Sequence, residues 1–277
     1  MVSLSDIEEM LHRLYIAAPG ASLRREDRKK AAELAGILTE IDRIVGTAGC
    51  DRPLQIVDAA AGKAYVGLLA AELVLAAKGR AGHVTLIERE PERAAACRRA
   101  ADGVRAARVV FTVVETEVAD PAAWPAEPDL VVALHACGPA WDDIAERAVA
   151  SRTRHLLLVP CCTSEGVTAA QLAARRAEDL GMPHQAEVRR RFIQAIVDAE
   201  RTLVLEAAGY ETAVVPFVPP TCTPHNLLWR ARRVGEPRQM AAAAAKLERL
   251  RSSDACGESP APSADLLASY MRLCDRP

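Results

Sequence analysis

The chain begins with a stretch in which apolar residues recur every three or four positions. Ser3 and Asp6 are capping residues in front of a helical pattern that runs through Tyr15. A second helix is predicted from about residue 25 to residue 45. Its apolar positions are Leu34, Ile37, Leu38, Ile41 and Ile44. Turn residues end this part, so we expect residues 1–52 to form an N-terminal helical preface.

From residue 53 the pattern changes to short apolar runs that alternate with helical segments. The predicted strands are residues 54–57, 83–87, 108–114, 130–134 and 156–159. The predicted helices between them are residues 64–77, 91–101 and 142–150. Alternation of this kind indicates βαβ units and a parallel sheet, and near-continuous apolar strands indicate a sheet covered on both faces. The predicted fold is therefore α/β, a Rossmann-like sheet with helices on both faces.

The C-terminal part of the chain completes this sheet and adds a tail. A helical insertion is predicted at 164–191 and a helix at 191–207, on which Asp198 and Arg201 are interpreted as a pair on one face. A hairpin-like pair of strands is predicted at 212–218 and 226–233, joined through a loop at 221–225. The expected division is a preface at 1–52, a central domain at 53–234 and a helical, partly mobile tail at 235–277.

Composition and charge narrow the class of protein. The formal net charge is −2 and the sequence pI is about 6.3, so no overall basic field attracts nucleic acid. Basic clusters at 24–30 and 189–191 are interpreted either as solvated helix faces or as phosphate contacts. No signal peptide is evident, no apolar stretch is long enough to span a bilayer, and the cysteines lack the spacing of a disulfide framework. We expect a cytoplasmic protein without membrane contact.

The most informative run is residues 57–67, where a strand ends in Asp58, turns through small residues and enters a helix. Small residues let a backbone approach a ligand, and the free N–H groups of a helix start favour one. A phosphate-binding P-loop is excluded, because Val57 and Ala64 stand where its first glycine and its Ser or Thr belong. The glycine pattern of a dinucleotide site is also absent. The alternatives are a nucleoside-binding turn and an ordinary strand–helix turn.

Acidic residues follow the next two predicted strands. Glu88 ends the second strand, where a carboxylate can accept hydrogen bonds from both ribose hydroxyls of a nucleoside, and nearby Glu90 is the alternative acceptor. Glu117 and Asp120 follow the third strand, and either one meets an adenine amino group or caps a helix. These positions are compatible with a bound nucleoside at the carboxyl edge of the sheet.

Five short pieces of the chain resemble one known family. They are Asp58-Ala59-Ala60-Ala61-Gly62-Lys63, Leu86-Ile87-Glu88, Leu134-His135-Ala136-Cys137-Gly138, Pro160-Cys161-Cys162 and Thr223-Pro224-His225-Asn226. This combination is similar to the methyltransferase-domain family that includes the glutathione S-transferase C-terminal-domain-containing protein and the ribosomal RNA adenine dimethylase domain-containing protein. The third piece, followed by Asp142 or Asp143, is the most specific. Ala60 and Ala64 depart from the family by standing at glycine-type positions, which bears on cofactor affinity rather than on the fold.

The resemblance implies a class I methyltransferase that uses S-adenosylmethionine as its cofactor. The cofactor-binding residues are expected to be Asp58, Ala60, Gly62, Lys63, Glu88 and Glu117. The acceptor-side residues are expected to be His135, Cys137, Pro160 and Asn226. His135 is the candidate to orient or deprotonate the methyl acceptor. RNA is favoured as the acceptor over a small molecule or a protein side chain, and the oligomeric state is left open.

Two other classes of protein compete with this interpretation. One is a non-catalytic binding module that keeps the fold, which the two alanines at glycine-type positions would suit. The other is a metal- or redox-responsive protein built on Cys137, Cys161 and Cys162, with Cys222 and His225 from the loop before the last strand. Because no Cys-x-x-Cys pair is present, these cysteines are interpreted as small pocket-lining residues, and no metal site is predicted.

Overall fold

In the computed structural model, residues 2–16, 22–49, 51–160 and 166–252 are described. The strands are β1 (Leu54–Ala59), β2 (Gly82–Ile87), β3 (Val109–Val114), β4 (Leu130–Ala136), β5 (His155–Pro160), β6 (Tyr210–Pro216) and β7 (Leu227–Arg233). The helices are α1 (Leu4–Leu11), α2 (Arg25–Thr47), α3 (Tyr65–Ala70), α4 (Pro91–Asp102), α5 (Ala140–Ala150), α6 (Thr168–Asp179), α7 (Ala186–Ala207) and α8 (Pro237–Arg251). Together the strands form a seven-stranded sheet in the order β3-β2-β1-β4-β5-β7-β6.

The sheet is parallel except at one side. β1 pairs in parallel with β2 and β4, β2 with β3, and β4 with β5. β7 lies antiparallel between β5 and β6. The predicted Rossmann-like α/β sheet with a terminal antiparallel pair is confirmed. Because β1 and β4 are neighbours while their connections run to opposite sides, ligands are expected at the carboxyl ends of these central strands.

The N-terminal helices share one core with the sheet. In α2, Ile37, Leu38 and Ile41 are completely buried, and they belong to the same cluster as Ile56 of β1 and Leu68 of α3. Helix α1 begins with a capping box, in which Ser3 accepts a hydrogen bond from the Asp6 N–H and Asp6 accepts one from the Ser3 N–H. The helical preface is therefore packed directly on the sheet, where its side chains can reach the strand ends.

Several boundaries differ from the sequence-based expectation. Helix α7 begins at Ala186, earlier than the predicted 191, because the backbone leaves the extended conformation directly after Gln185, the N-cap residue. β6 spans Tyr210–Pro216 instead of 212–218, because its pairing with β7 runs from Tyr210 opposite Arg233 to Pro216 opposite Leu227. After Ala70, helix α3 continues as a π-helical turn and a short 3-10 turn to Lys78.

The C-terminal tail is described only in part. Helix α8 lies in the tail at 235–277 that is expected to be helical. Residues 253–277 of this tail lie outside the described residues, so its expected partial mobility stays a prediction. Cys161 and Cys162 also lie outside them. Within the part of the chain that is described, no helix is both long and apolar enough to cross a membrane.

Candidate active site

The carboxyl edge of the sheet brings together residues from four strands that are far apart in the chain. β1 ends just after Asp58, β2 is followed by Glu88, and the last residues of β4 include His135. Pro160 closes β5, is buried, and pairs with Ala136 of β4. The predicted residues of the strand ends therefore share one edge, as the parallel order requires.

The turn after β1 has an unusual backbone. Ala60 and Ala64 have φ angles of 54° and 59°, and Gly62 between them has 62°. These are left-handed conformations that glycine adopts freely and alanine only at a cost, so the prediction that both alanines stand at glycine-type positions is confirmed. A Cβ atom placed on Gly62 would have nothing within 4 Å, so this turn leaves open space beside its backbone.

Asp58 ties this turn to the following helix. Its Oδ2 accepts a hydrogen bond from the N–H of Gly67 at 2.8 Å, and its side chain is buried. A Cβ atom on Gly67 would lie 2.7 Å from Cδ2 of Leu86 and 3.1 Å from Oδ2 of Asp58, so this position requires glycine. Burial raises the pKa of Asp58 to about 7, opposed by the Gly67 N–H and reinforced by the charge of Glu88.

Glu88 is fixed by backbone donors. Its Oε2 accepts from the N–H of Gly62 at 2.6 Å and its Oε1 accepts from the N–H of Glu90 at 2.9 Å. A carboxylate oxygen has room for a second hydrogen bond, so each oxygen can still accept one from a ligand hydroxyl. Glu90 itself is half-exposed and pairs with Arg89.

A cavity of about 390 Å³ opens between these strand ends. Its lining includes Ala60, Glu88, Arg89, Arg93, Thr116, Glu117, Val118, His135, Cys137, Pro139, Ala140 and Asp143. Of the predicted cofactor residues, Ala60, Glu88 and Glu117 line it directly. Asp58 and Gly62 are not among its lining residues. The side chain of Lys63 is exposed, and its carbonyl accepts a hydrogen bond from the Tyr15 hydroxyl at 2.9 Å.

His135 lies where β4 bulges, with a φ of 67°. Its Nε2 is 3.0 Å from Oε2 of Glu33, a buried residue of α2 that also pairs with Lys30 at 2.5 Å. Burial by itself raises the pKa of Glu33, but the hydrogen bonds from His135 and Lys30 outweigh it and leave that pKa below its ordinary value. His225 lies close by, and its pKa is lowered by burial, by His135 and by Arg190.

The other predicted acceptor-side residues differ in where they lie relative to the cavity. Cys137 lines the cavity, and its sulfur takes part in a disulfide bond. Pro160 is not part of the cavity lining, although it lies one strand away from His135. Asn226 donates from Nδ2 to the carbonyl of Val218 at 2.9 Å, so its side chain braces the loop before β7.

Arg201 has a different partner from the predicted one. Its guanidinium is almost completely buried, pairs with Asp142 at 3.1 Å, and also donates to the carbonyl of Gly138 at 3.2 Å. It lies 4.7 Å from the ring centroid of Trp141, a cation–π contact. Asp198 instead accepts a hydrogen bond from Gln194 at 2.7 Å. The expected pair on one helix face is wrong, because Arg201 points inward to the start of α5.

The sequence-based reasoning missed Glu33 as a residue of this site. Its signal was present, since Glu33 and Glu40 recur on the same face of α2 as the buried apolar residues, and both are buried. Charged residues on a buried helix face usually have a partner elsewhere in the fold. Among the described residues, no group of three or more His, Cys, Asp or Glu side chains is arranged to hold a metal ion.

Comparisons with known proteins agree on the fold. Residues 29–168, about half of the chain, match a family model described as a methyltransferase domain. No curated protein sequence matches the chain. Among solved structures, the CMeT domain of the citrinin polyketide synthase matches with a TM-score of 0.50 and 12% identity, over 76% of this chain and 54% of that one.

Two further structures are similar with lower scores. The magnesium protoporphyrin IX methyltransferase of Synechocystis PCC 6803 with bound SAH has a TM-score of 0.47 and 13% identity, over 82% of this chain and 93% of that one. The SAH-bound methyltransferase PaMTH1 of Podospora anserina has a TM-score of 0.47 and 15% identity, over 82% and 87%.

Proposed function

The chain belongs to the family of methyltransferase domains, and we propose that it transfers the methyl group of S-adenosylmethionine to an acceptor placed beside His135. The observation that carries this proposal is the cavity at the carboxyl edge. It is bounded by the strained turn after β1, by the Glu88 carboxylate and by His135. A nucleoside and a reacting group can meet there, because the cavity extends from the end of β2 to the end of β4.

The residues around the cavity fit the cofactor. Glu88 is held by two backbone N–H groups and keeps free acceptor capacity for the ribose hydroxyls, whereas Glu90 is turned toward Arg89. The open space beside Gly62 accommodates a ligand that approaches the backbone. Glu117, which also lines the cavity and lies 3.6 Å from Arg89, is the residue that we assign to the adenine amino group. Asp58 acts indirectly, because its hydrogen bond from the Gly67 N–H holds the turn in place. Lys63 has no role at the cavity wall, since it is not among the lining residues.

His135 is placed to accept a proton from the methyl acceptor. When bound, the cofactor supplies an electrophilic methyl group, and the protein has to position the nucleophile and remove its proton. The Glu33 carboxylate accepts hydrogen bonds only, so a neutral His135 must carry its proton on Nε2. The lone pair is then on Nδ1, which has no hydrogen-bond partner in the described part of the chain. Glu33 is therefore a positioning residue for the base.

The remaining acceptor-side residues are assigned supporting roles. Cys137 forms part of the cavity wall, and with its sulfur in a disulfide bond it is not a nucleophile in this form. Pro160 closes β5 without lining the cavity, and Asn226 holds the loop that carries His225. None of these three has to exchange a proton in the proposed reaction.

RNA is the acceptor class that we propose to test first. Lys29 and Lys30 of α2 lie at the acceptor side, where the Lys29 carbonyl is 3.5 Å from Cys222 and Lys30 pairs with Glu33. Since Lys30 is paired with Glu33, it is the charge of the exposed Lys29 that favours an anionic acceptor. The cluster at 189–191 gives less support, because these arginines pair with Glu178 and Glu187. A small-molecule acceptor is the alternative outcome of the test.

The cofactor site is tested by calorimetric titration of the purified chain with S-adenosylmethionine and S-adenosylhomocysteine. We expect saturable binding that Glu88→Ala weakens about tenfold or more, because the variant loses the ribose acceptor and leaves the Gly62 N–H without its partner. Glu92→Ala, on the exposed face of α4, is the matched control and should bind as the wild type does. Absence of binding to either ligand by the wild type would overturn the proposal.

The acceptor is tested by incubating the chain with S-adenosylmethionine labelled on its methyl group and either total RNA or a metabolite extract. Label in the RNA fraction that is lost with His135→Ala supports RNA methylation. Label only in the metabolite fraction identifies a small-molecule acceptor and removes RNA. If either fraction is labelled equally by the wild type and by His135→Ala, the assignment of His135 as the base is wrong.

A further inference from the structure

A second cavity, of about 370 Å³, lies at the opposite, amino edge of the sheet. It is found where β4 and β5 begin and where antiparallel β7 ends. Its charged lining residues are Arg52, Arg152, Arg154, Arg233, Glu127 and Asp129. We call this the amino-edge pocket. It shares no lining residue with the cavity at the carboxyl edge.

The amino-edge pocket has more positive charge than its own carboxylates neutralise. Arg52 binds Asp129 with two hydrogen bonds of 2.7 Å each, and Arg152 pairs with Glu127 at 3.3 Å. In the part of the chain that the structure describes, Arg154 and Arg233 have no carboxylate partner. Two guanidinium groups therefore remain available to a ligand, and the lining has an excess of two positive charges.

One side of the pocket is rigid. Asp129 is buried, and its Oδ2 also accepts from the N–H of Gln55 at 2.9 Å, so the Arg52 guanidinium is held against a fixed carboxylate. The N–H of Arg154 donates to the carbonyl of Pro128 at 3.0 Å, which fixes the backbone beneath its side chain. A ligand would therefore meet arginines whose attachment points are already ordered.

Two further features are found at this edge of the sheet. His155, the first residue of β5, has its pKa lowered first by burial and then by Arg154, Arg43 and Arg232, while Asp129 acts in the opposite direction. The backbone of the pocket is also strained, because Glu127 and Arg152 have φ angles of 48° and 60°. In the described chain the other non-glycine residues with positive φ are Ala60, Ala64 and His135, all at the proposed active site. Strain of this kind is concentrated at functional sites in proteins.

We propose that the amino-edge pocket binds a phosphate group through Arg154 and Arg233. The guanidinium group presents planar pairs of N–H donors that match two phosphate oxygens, and an excess of two positive charges matches a phosphate dianion. The phosphate belongs either to a free phosphorylated compound or to RNA. The site is distinct from the proposed methyl-transfer site and does not depend on it.

The test uses the full chain and pyrophosphate as the probe, with binding followed by calorimetry at low salt. We expect saturable binding that Arg154→Ala and Arg233→Ala each weaken about tenfold, since each removes hydrogen bonds to a charged ligand. The matched control is Arg99→Ala on α4, which likewise removes one positive charge, from an exposed face elsewhere. The control should bind within about twofold of the wild type.

The two sources of phosphate are separated with a short single-stranded RNA carrying either a 5′-phosphate or a 5′-hydroxyl. Binding of only the phosphorylated RNA indicates a terminal phosphate, and equal binding of both indicates the backbone. Binding of pyrophosphate without RNA indicates a free phosphorylated compound. In each case the arginine variants must lose the binding for the pocket to be responsible.

Two results would overturn the proposal. One is the absence of saturable pyrophosphate binding by the wild type, and the other is an equal loss in the α4 control, which would mean attraction to net charge alone. Titration with S-adenosylmethionine on the same samples keeps the two sites apart. If the chain binds the cofactor but not pyrophosphate, only the proposal for the amino-edge pocket is overturned. If it binds pyrophosphate but not the cofactor, only the methyl-transfer proposal is overturned.

Discussion

The two halves of the carboxyl edge are held together in different ways. At the ends of β1 and β2, Asp58 accepts from a backbone N–H nine residues away and Glu88 from one 26 residues away. At the end of β4, His135 is bonded to the side chain of Glu33, 102 residues away. In the cofactor half, the acidic side chains are thus held by backbone N–H groups from nearby parts of the chain. In the acceptor half, two side chains that only the fold brings together hold each other.

This difference shifts the pKa values of two buried acids, Asp58 and Glu33, in opposite directions. Asp58 has only a backbone donor, so burial dominates and raises its pKa to about 7. Glu33 faces Lys30 and His135, and these partners leave its pKa below the ordinary value in spite of burial. Protonation is therefore favoured at Asp58 in the first half and disfavoured at Glu33 in the second.

The largest effect is expected from Asp58→Asn, measured as the free energy of unfolding between pH 4 and pH 7. In the folded chain the Asp58 pKa is raised from 3.8 to about 7, so over this range the folded chain holds a proton that the unfolded chain has lost. Stability should fall as the pH rises, by at most about 1.4 kcal/mol per pH unit, and level off above pH 7. Asparagine does not titrate, so the variant should lack this decline. A constant difference between the two proteins across the range would contradict the raised pKa.

The next effect concerns the ion pair of the acceptor half. Asp142→Ala should lower the free energy of unfolding by roughly 2–3 kcal/mol, because it leaves the buried Arg201 guanidinium without its counter-charge. Asp143→Ala is the matched control one residue along α5, where the structure gives the carboxylate no ion pair. It should change stability by no more than about 0.5 kcal/mol. Chemical denaturation of both variants checks this, and equal losses would contradict the role of Arg201.

The third prediction separates the two buried glutamates of α2. Glu33→Gln should slow methyl transfer about tenfold at saturating cofactor, because the imidazolium formed on His135 loses its carboxylate partner. Glu40→Gln changes a residue of similar burial that binds Arg230 at 2.5 Å, away from the cavity. It should leave the rate unchanged, and cofactor affinity should be the same in both. A matching slowdown in Glu40→Gln would show that the helix is merely perturbed.

The smallest effect is expected in the turn after β1. Ala60→Gly should raise the free energy of unfolding by about 0.5–1 kcal/mol, because glycine adopts the φ of 54° without the clash of a Cβ atom. Ala61→Gly, next in the same turn and without a positive φ, should lower it by a similar amount through the added freedom of the unfolded chain. Thermal unfolding of both variants tests this prediction. A lower free energy of unfolding in Ala60→Gly than in the wild type would mean that the turn is not strained.

Much of the fold could be predicted from the sequence. The predicted methyltransferase class is confirmed by the family match. That match does not show a relationship to either of the two member proteins named with the motifs. Helical spacing located α2, apolar runs located the first five strands, and the acid after β1 located the turn. These signals are local, since periodicity and turn chemistry depend on residues a few positions apart. The assignments of single residues to cofactor and acceptor stay predictions.

The tertiary structure decided which side chains meet. Nothing in the sequence pairs Glu33 with His135 or redirects Arg201 to Asp142, and the four arginines of the amino-edge pocket come from three separate parts of the chain. Such contacts join groups many tens of residues apart, so they exist only after α2 has packed on the sheet and the strands have taken their order. The sequence by itself determined the elements, the turn and the family, because these depend on neighbouring residues. The partners of the buried charges were determined by packing, because a buried charge is stabilised by whatever the fold places beside it.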